Sequence, residues 1–284
     1  MTPAWLPLRD VEARPRAFPP GYLMAVFVGY GDESGKQDDP ESPSSAYGIL
    51  VGQNECWDAF DQAWKDALRG AGIEHFHRKE FGKPNGPYAQ LDEIAEQRLS
   101  QDLVAAIRSA GLAGYASAVR HQALVQFNNK TGLDLDAYAL SLYACLCYIC
   151  EAHQFDEIQL YLDWVENRYK KLARTKEYMA SYPNIPEFGD WFEKLEIHNV
   201  AKPKPEDKLS KTPGYQAADF LAWETRKYVH TDKNDGVLVP MPWPPARRRK
   251  SLHALNEATR IRGVLWDVEI LEKEHSARNG IWKA

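Results

Sequence analysis

Nowhere in the 284 residues is there a run of eighteen uncharged apolar side chains, so no segment has the sequence of a membrane-spanning helix. The first twenty residues hold five prolines and three arginines and lack the apolar stretch of a secretion signal; they read as an irregular arm. Together these features predict a cytoplasmic protein with no membrane partner. Positive charge is not in excess either. The formal net charge is -5, so contact with nucleic acid would rely on local basic stretches or on bridging cations.

Cysteine is scarce, and its spacing argues against a zinc site. Three of the four cysteines fall in Ser141–Cys150, a stretch that reads as helix, where Cys145 and Cys147 point in nearly opposite directions. They read as small buried apolar side chains. Low-complexity linkers and internal repeats are also missing. The chain is therefore read as one domain over 21–284, with a Pro-rich insertion near 231–250.

What the sequence does have is apolar and aromatic material for a large core, 44% and 12% of its residues respectively. The stretch Ala25 to Gly35 runs through Val26-Phe27-Val28-Gly29-Tyr30-Gly31 into Asp32-Glu33, which predicts a buried strand delivering two carboxylates to the rim of a sheet. A second strand over Ala46–Gly52 follows closely enough to pair antiparallel with the first. Asn54 can cap a helix carrying Trp57, Phe60, Trp64 and Leu68 at three- and four-residue steps.

Further along, the spacing predicts a helix from about Leu91 to Ala110, a strand over Leu112–Val119 and an apolar, buried helix over Leu133–Gln154. A strand over Glu157–Val165 then carries Asp163, and Lys194–Val200 is a further strand candidate. Tyr215 to Glu224 begins a helix that is apolar almost all round yet holds Asp219. The region after the basic run 247–250 reads as helical. Strands alternating with long helices predict an α/β layered fold.

Asp32, Asp163 and Asp219 thus come from separate segments, two at strand ends and one in an apolar helix. Open α/β sheets gather such positions beyond their strand ends. Converging carboxylates repel unless a divalent cation lies among them, and hard oxygen donors suit Mg²⁺ or Mn²⁺. Two such ions would stabilise the attacking and leaving oxygens of a phosphodiester. Each acid also has a plainer reading: Asp32 and Glu33 as turn residues beside glycine, Asp163 as an acceptor for backbone amides, Asp219 as half of an ion pair. Because neighbours on a strand face opposite ways, only one of Asp32 and Glu33 joins an inward cluster, and Asp32 is expected to be that one. His77 suits a general acid or base, a metal ligand or a packed histidine.

The ordered motifs Tyr30-Gly31-Asp32-Glu33-Ser34-Gly35, Phe76-His77 and Gly214-Tyr215-Gln216-Ala217-Ala218-Asp219-Phe220 resemble the family known as domain of unknown function 3800, across roughly Val26 to Lys227. That family is grouped with the ribonuclease H-like fold. The resemblance implies a mixed sheet with antiparallel first strands flanked by helices, and a catalytic, metal-binding set at Asp32, Asp163 and Asp219. Enzymes of that fold commonly use a fourth acid, for which Glu33 or Glu80 are the candidates. This sequence has His75 where the family often has an acid two residues before its histidine.

The resulting expectation is a divalent-metal-dependent nuclease or related phosphodiester hydrolase. Basic stretches at 168–176, 202–211 and 247–250 would either meet phosphates or be merely solvated. The alternative is a non-catalytic module of the same fold that binds nucleic acid or protein. A zinc hydrolase built on His75, His77 and Glu80 is a third reading, and it lacks a further His or Cys at supporting spacing.

Overall fold

The computed structural model describes residues 25–37, 42–81, 83, 85–153, 156–163, 167–180, 191, 195–199, 212–231 and 250–277. In chain order these form β1 (Val26–Ser34), β2 (Ser44–Gln53), α1 (Asn54–Gly70), a single 3-10 turn (Arg78–Glu80), α2 (Glu93–Ser109), β3 (Ala113–Arg120), α3 (His121–Thr131) and α4 (Ala137–His153). They continue with β4 (Glu157–Leu162), α5 (Arg168–Ala180), β5 (Glu196–Asn199), α6 (Pro213–Thr231), α7 (Lys250–Thr259), β6 (Arg262–Trp266) and α8 (Val268–Ala277). The arm at 1–20, the basic stretch at 202–211 and nearly all of the insertion and basic run between 231 and 250 lie outside the described residues.

The strands make one mixed sheet in the order β5-β4-β1-β2-β3-β6. β1 pairs antiparallel with β2, and β2 with β3, as the short connection between the first two strands predicts. β4 runs parallel to β1, β5 to β4, and β6 to β3. It follows that β2 alone runs against the other five, whose C-terminal ends share one rim.

Helices cover both faces, giving the α/β mixed sheet that the sequence predicts. On one face, the buried side of β4 (Ile158, Leu160 and Leu162) packs into a core with α4, and every α4 residue from Ala137 to Cys150 is buried. That complete burial explains why the helix shows no polar face. The cysteines are free, and Cys145 sits in the core with its Sγ 3.8 Å from the Tyr47 carbonyl oxygen. On the other face, Trp57, Phe60, Trp64 and Leu68 of α1 join Leu99 and Leu103 of α2 and Phe220 and Leu221 of α6.

Three local expectations need correction. Asn54 does not cap α1: β2 hands directly to the helix, Gln53 takes the cap position, and no side chain supplies the bond. α3 was not expected at all, because it spans only eleven residues and follows β3 without a turn. The last region is not wholly helical, since β6 inserts five strand residues between α7 and α8.

α6 lies directly on β2. A Cβ built at Gly48 would come within 2.8 Å of the Ala222 amide nitrogen and 3.2 Å of the Ala218 carbonyl oxygen. These are backbone atoms and cannot rotate aside. Gly48→Ala is therefore expected to lift the helix and lower stability by about 1–3 kcal/mol, read as a lower urea midpoint with an unchanged slope.

Candidate functional site

Alternation along β1 sorts its two acids. Val28 and Tyr30 belong to the core beneath α6, and Phe27 packs against the core beneath α4. Asp32 continues the first set and Glu33 the second. Glu33 accordingly faces α5, with the Lys171 Nζ 3.7 Å from its carboxylate. Burial raises its pKa to about 6, while Lys171 and Lys36 pull the other way. Lys171 also lies over the Tyr138 ring, 4.6 Å from its centre.

Asp32 faces the start of α6. Its carboxyl is held well above the usual carboxylate range, first by burial and then by the negative charges of Asp219 and Asp163. The amide of Glu33 donates to Asp32 Oδ1 at 2.7 Å, which favours the ionised form and is outweighed. Asp163 follows β4 directly and extends its parallel ladder, its amide donating to the Gly31 carbonyl oxygen at 2.9 Å. Two residues earlier on each strand, Tyr30 and Tyr161 stack with ring centres 5.5 Å apart, on the sheet face that Asp32 and Asp163 share.

Asp219 completes the set from above. It sits on the second turn of α6, its side chain 13% exposed. Burial raises its pKa and Asp163 adds to the shift, while His77, the Arg78 amide and the Arg78 charge oppose it. The helix comes this close because Gly214 has no side chain; a Cβ there would lie 2.5 Å from the Tyr30 ring.

The segment 75–78 is tied to α6 bond by bond. The Phe76 amide donates to Gln216 Oε1 at 2.8 Å, and the Trp64 indole donates to the same oxygen at 3.0 Å. The His77 amide donates to the Tyr88 hydroxyl, which in turn donates to the His75 carbonyl. The Arg78 amide donates to Asp219 Oδ2 at 2.8 Å. The Arg78 side chain pairs with the buried Glu224 at 2.8 Å and lies over the rings of Trp223 and Phe81. So held, His77 has its Nε2 3.9 Å from Asp219 Oδ1 while its side chain is 44% exposed.

Of the residues singled out in the sequence, Asp32, Asp163, Asp219 and His77 meet at one rim. Glu33 and Glu80 do not join them. Glu33 is turned to the opposite face, and Glu80 is bound to Lys83 at 2.9 Å, which lowers its pKa. Among the described basic residues of 168–176, Lys171 is engaged by Glu33 and Arg174 by Asp134, while Lys170 and Lys176 are exposed. Sequence reasoning missed Arg78, Gln216 and Glu224. Gln216 and Glu224 had a signal, polar side chains in an apolar helix; Arg78 had none beyond its place beside His77.

The donor set consists of hard carboxylate oxygens, and Asp32 carries a repulsion that a divalent cation would relieve, so its chemistry fits Mg²⁺ or Mn²⁺. Among the described residues, no three His, Cys, Asp or Glu side chains are gathered closely enough to form a ready-made cage for one ion. No protein-family model and no curated protein sequence matches the chain.

Two outcomes follow. Glu224→Gln leaves Arg78 an acceptor but removes the carboxylate charge opposite it at 2.8 Å, and should cost about 1.5–3 kcal/mol, measured by chemical denaturation. The raised Asp32 pKa means that the folded state holds its proton to higher pH than the unfolded chain, so stability falls as pH rises above about 4. Asp32→Asn should therefore melt about 2–6 °C above wild type at pH 8 and level with it near pH 3.5. Equal melting at both pH values would contradict the charge repulsion.

Proposed function

We propose that the protein is a divalent-metal-dependent nuclease or a related phosphodiester hydrolase. The observation that carries this reading is that Asp32, Asp163 and Asp219 come from three separate segments to the rim where five strands end, close enough that Asp163 and Asp219 raise the Asp32 pKa and Asp163 that of Asp219. The strand order supports the ribonuclease H-like reading, with antiparallel first strands and a parallel addition carrying the second acid. Membership of the family known as domain of unknown function 3800 is part of the same proposal.

Asp32, Asp163 and Asp219 would hold Mg²⁺ or Mn²⁺. Such an ion, when bound, supplies electrophilic stabilisation of the oxygens around phosphorus. The protein's own residues orient and move protons. The Arg78 amide fixes the Asp219 carboxylate, with Glu224 holding the Arg78 side chain in turn. His77 is exposed enough to meet a substrate and close enough to Asp219 to be oriented by it, a suitable place for exchanging a proton with the attacking water or the leaving oxygen. Exposed Lys170 and Lys176 on α5 are candidates for the phosphates of a nucleic-acid partner. A cytoplasmic location is part of the same proposal; the four cysteines are free thiols, three of them buried.

Incubation with Mg²⁺ or Mn²⁺ and single-stranded DNA, RNA or hybrid duplex should give cleavage that falls at least about a hundredfold in Asp32→Asn and in Asp219→Asn. Cleavage that survives in both variants would overturn the assignment. Binding without turnover, unaffected by either change, would identify a non-catalytic module instead. Cation addition should also raise the melting temperature of wild type more than that of Asp32→Asn.

A further inference from the structure

The sheet face that bears Asp32 and Asp163 also bears a row of aromatic rings. Tyr30, Tyr161 and His198 are register partners across β1, β4 and β5. A strand spacing of about 4.8 Å lets rings on such partners stack. Tyr30 lies on Tyr161 with centres 5.5 Å apart and planes 23° apart, and Tyr161 lies on His198 at 4.7 Å and 16°. The inner end of the row is closed, because the Trp57 and Tyr215 rings meet Tyr30 at steep angles, 4.7 and 5.2 Å between centres. Trp57 is itself fixed by its indole, which donates to the Val28 carbonyl oxygen at 3.0 Å.

The outer end is open. Among the described residues β5 is the edge strand, and the His198 side chain is 46% exposed. Its Nε2 is 3.4 Å from a carboxylate oxygen of Glu196, two residues back along β5 and so on the side away from the rim. Tyr161 thus takes one face of the imidazole and Glu196 one edge, and the second face looks out past the sheet. The next step of the row lies one strand spacing beyond β5. Asp163 stands two residues past Tyr161 on β4, so that step is about 12 Å from it. A polynucleotide strand with a phosphate at the aspartates carries bases within this reach. A base inside a duplex already has its faces covered by its neighbours, whereas an unpaired base is free to stack on a ring.

We propose that His198 is a stacking platform for an unpaired base of single-stranded nucleic acid, a few nucleotides from the phosphodiester at the aspartates. The proposal rests on the phosphodiester-hydrolase reading and narrows its substrate class to single strands. Tyr161 and Tyr30, backed by Trp57 and Tyr215, hold the imidazole face in place, so little side-chain freedom is lost on binding. Every base has a π-face, so the platform selects for an unpaired base and not for its identity.

The test titrates the full chain with fluorescently labelled oligonucleotides of DNA and of RNA, with Ca²⁺ replacing Mg²⁺, and follows anisotropy. Wild type is expected to bind single strands, with affinity about tenfold weaker in His198→Ala and His198→Leu and within about threefold of wild type in His198→Phe, which restores a ring. His198→Leu keeps an apolar contact for Tyr161, and circular dichroism of each variant separates lost stacking from lost folding. Removing single bases along the strand should weaken wild-type binding at one position, and that loss should vanish in His198→Ala. Blunt duplexes should bind equally to all four proteins. Equal single-strand binding by wild type, His198→Ala and His198→Leu overturns the platform, as does an equal loss in all three variants or no binding of either nucleic acid. Cleavage in Mg²⁺, assayed alongside, keeps the two readings apart. Ring-independent binding with cleavage removes the platform alone, and ring-dependent binding without cleavage removes the hydrolase reading alone.

Discussion

Burying a polar side chain in an apolar helix is tolerable only if its hydrogen-bonding capacity is met, and α6 sets three such side chains against one neighbouring segment. Gln216, Asp219 and Glu224 all turn toward the segment that carries Phe76, His77 and Arg78, and the partners are two backbone amides, an indole and a guanidinium. Apolar contact alone would allow α6 to slide along the sheet. These bonds fix it in one register, with Gly48 and Gly214 admitting it at close range. The position of Asp219 over Asp32 depends on that register.

The two adjacent carboxylates of β1 show how little sequence distance separates different environments. Asp32 shares its surroundings with two other negative charges, whereas Glu33, one residue on, has Lys171 and Lys36 nearby. Both are raised by burial, but only Asp32 carries an uncompensated repulsion. Tyr47 lies opposite Glu33 on β2, its hydroxyl pushed up by burial and by the neighbouring Tyr138, with both acids contributing. Charge on one face of the strand is therefore felt on the other.

Much of this was legible in the sequence because periodicity survives translation into structure. β1, β2, α1, α2, α4, β4 and β5 fall within a few residues of their expected places, and the strand period alone separated Asp32 from Glu33. Elements without a distinct period or boundary were missed: α3, which starts where β3 stops, and β6, five residues between two helices. The clamp around Arg78 was not legible, because its partners are about 140 residues apart and nothing local marks them as neighbours. Asp219 was found, by contrast, since a carboxylate in an apolar helix is locally anomalous.

The sheet order also governs when such a rim can come into being. β1 finds β2 within a few residues, but its parallel neighbour β4 is made more than a hundred residues later, and α6 later still. A nascent chain can close the first hairpin early, a local and rapid step, whereas docking β4 and α6 must wait for long loops to close. Asp32 thus spends the early life of the chain as an ordinary solvated carboxylate. It becomes an unusually weak acid only once β4 and α6 have been added and docked beside it.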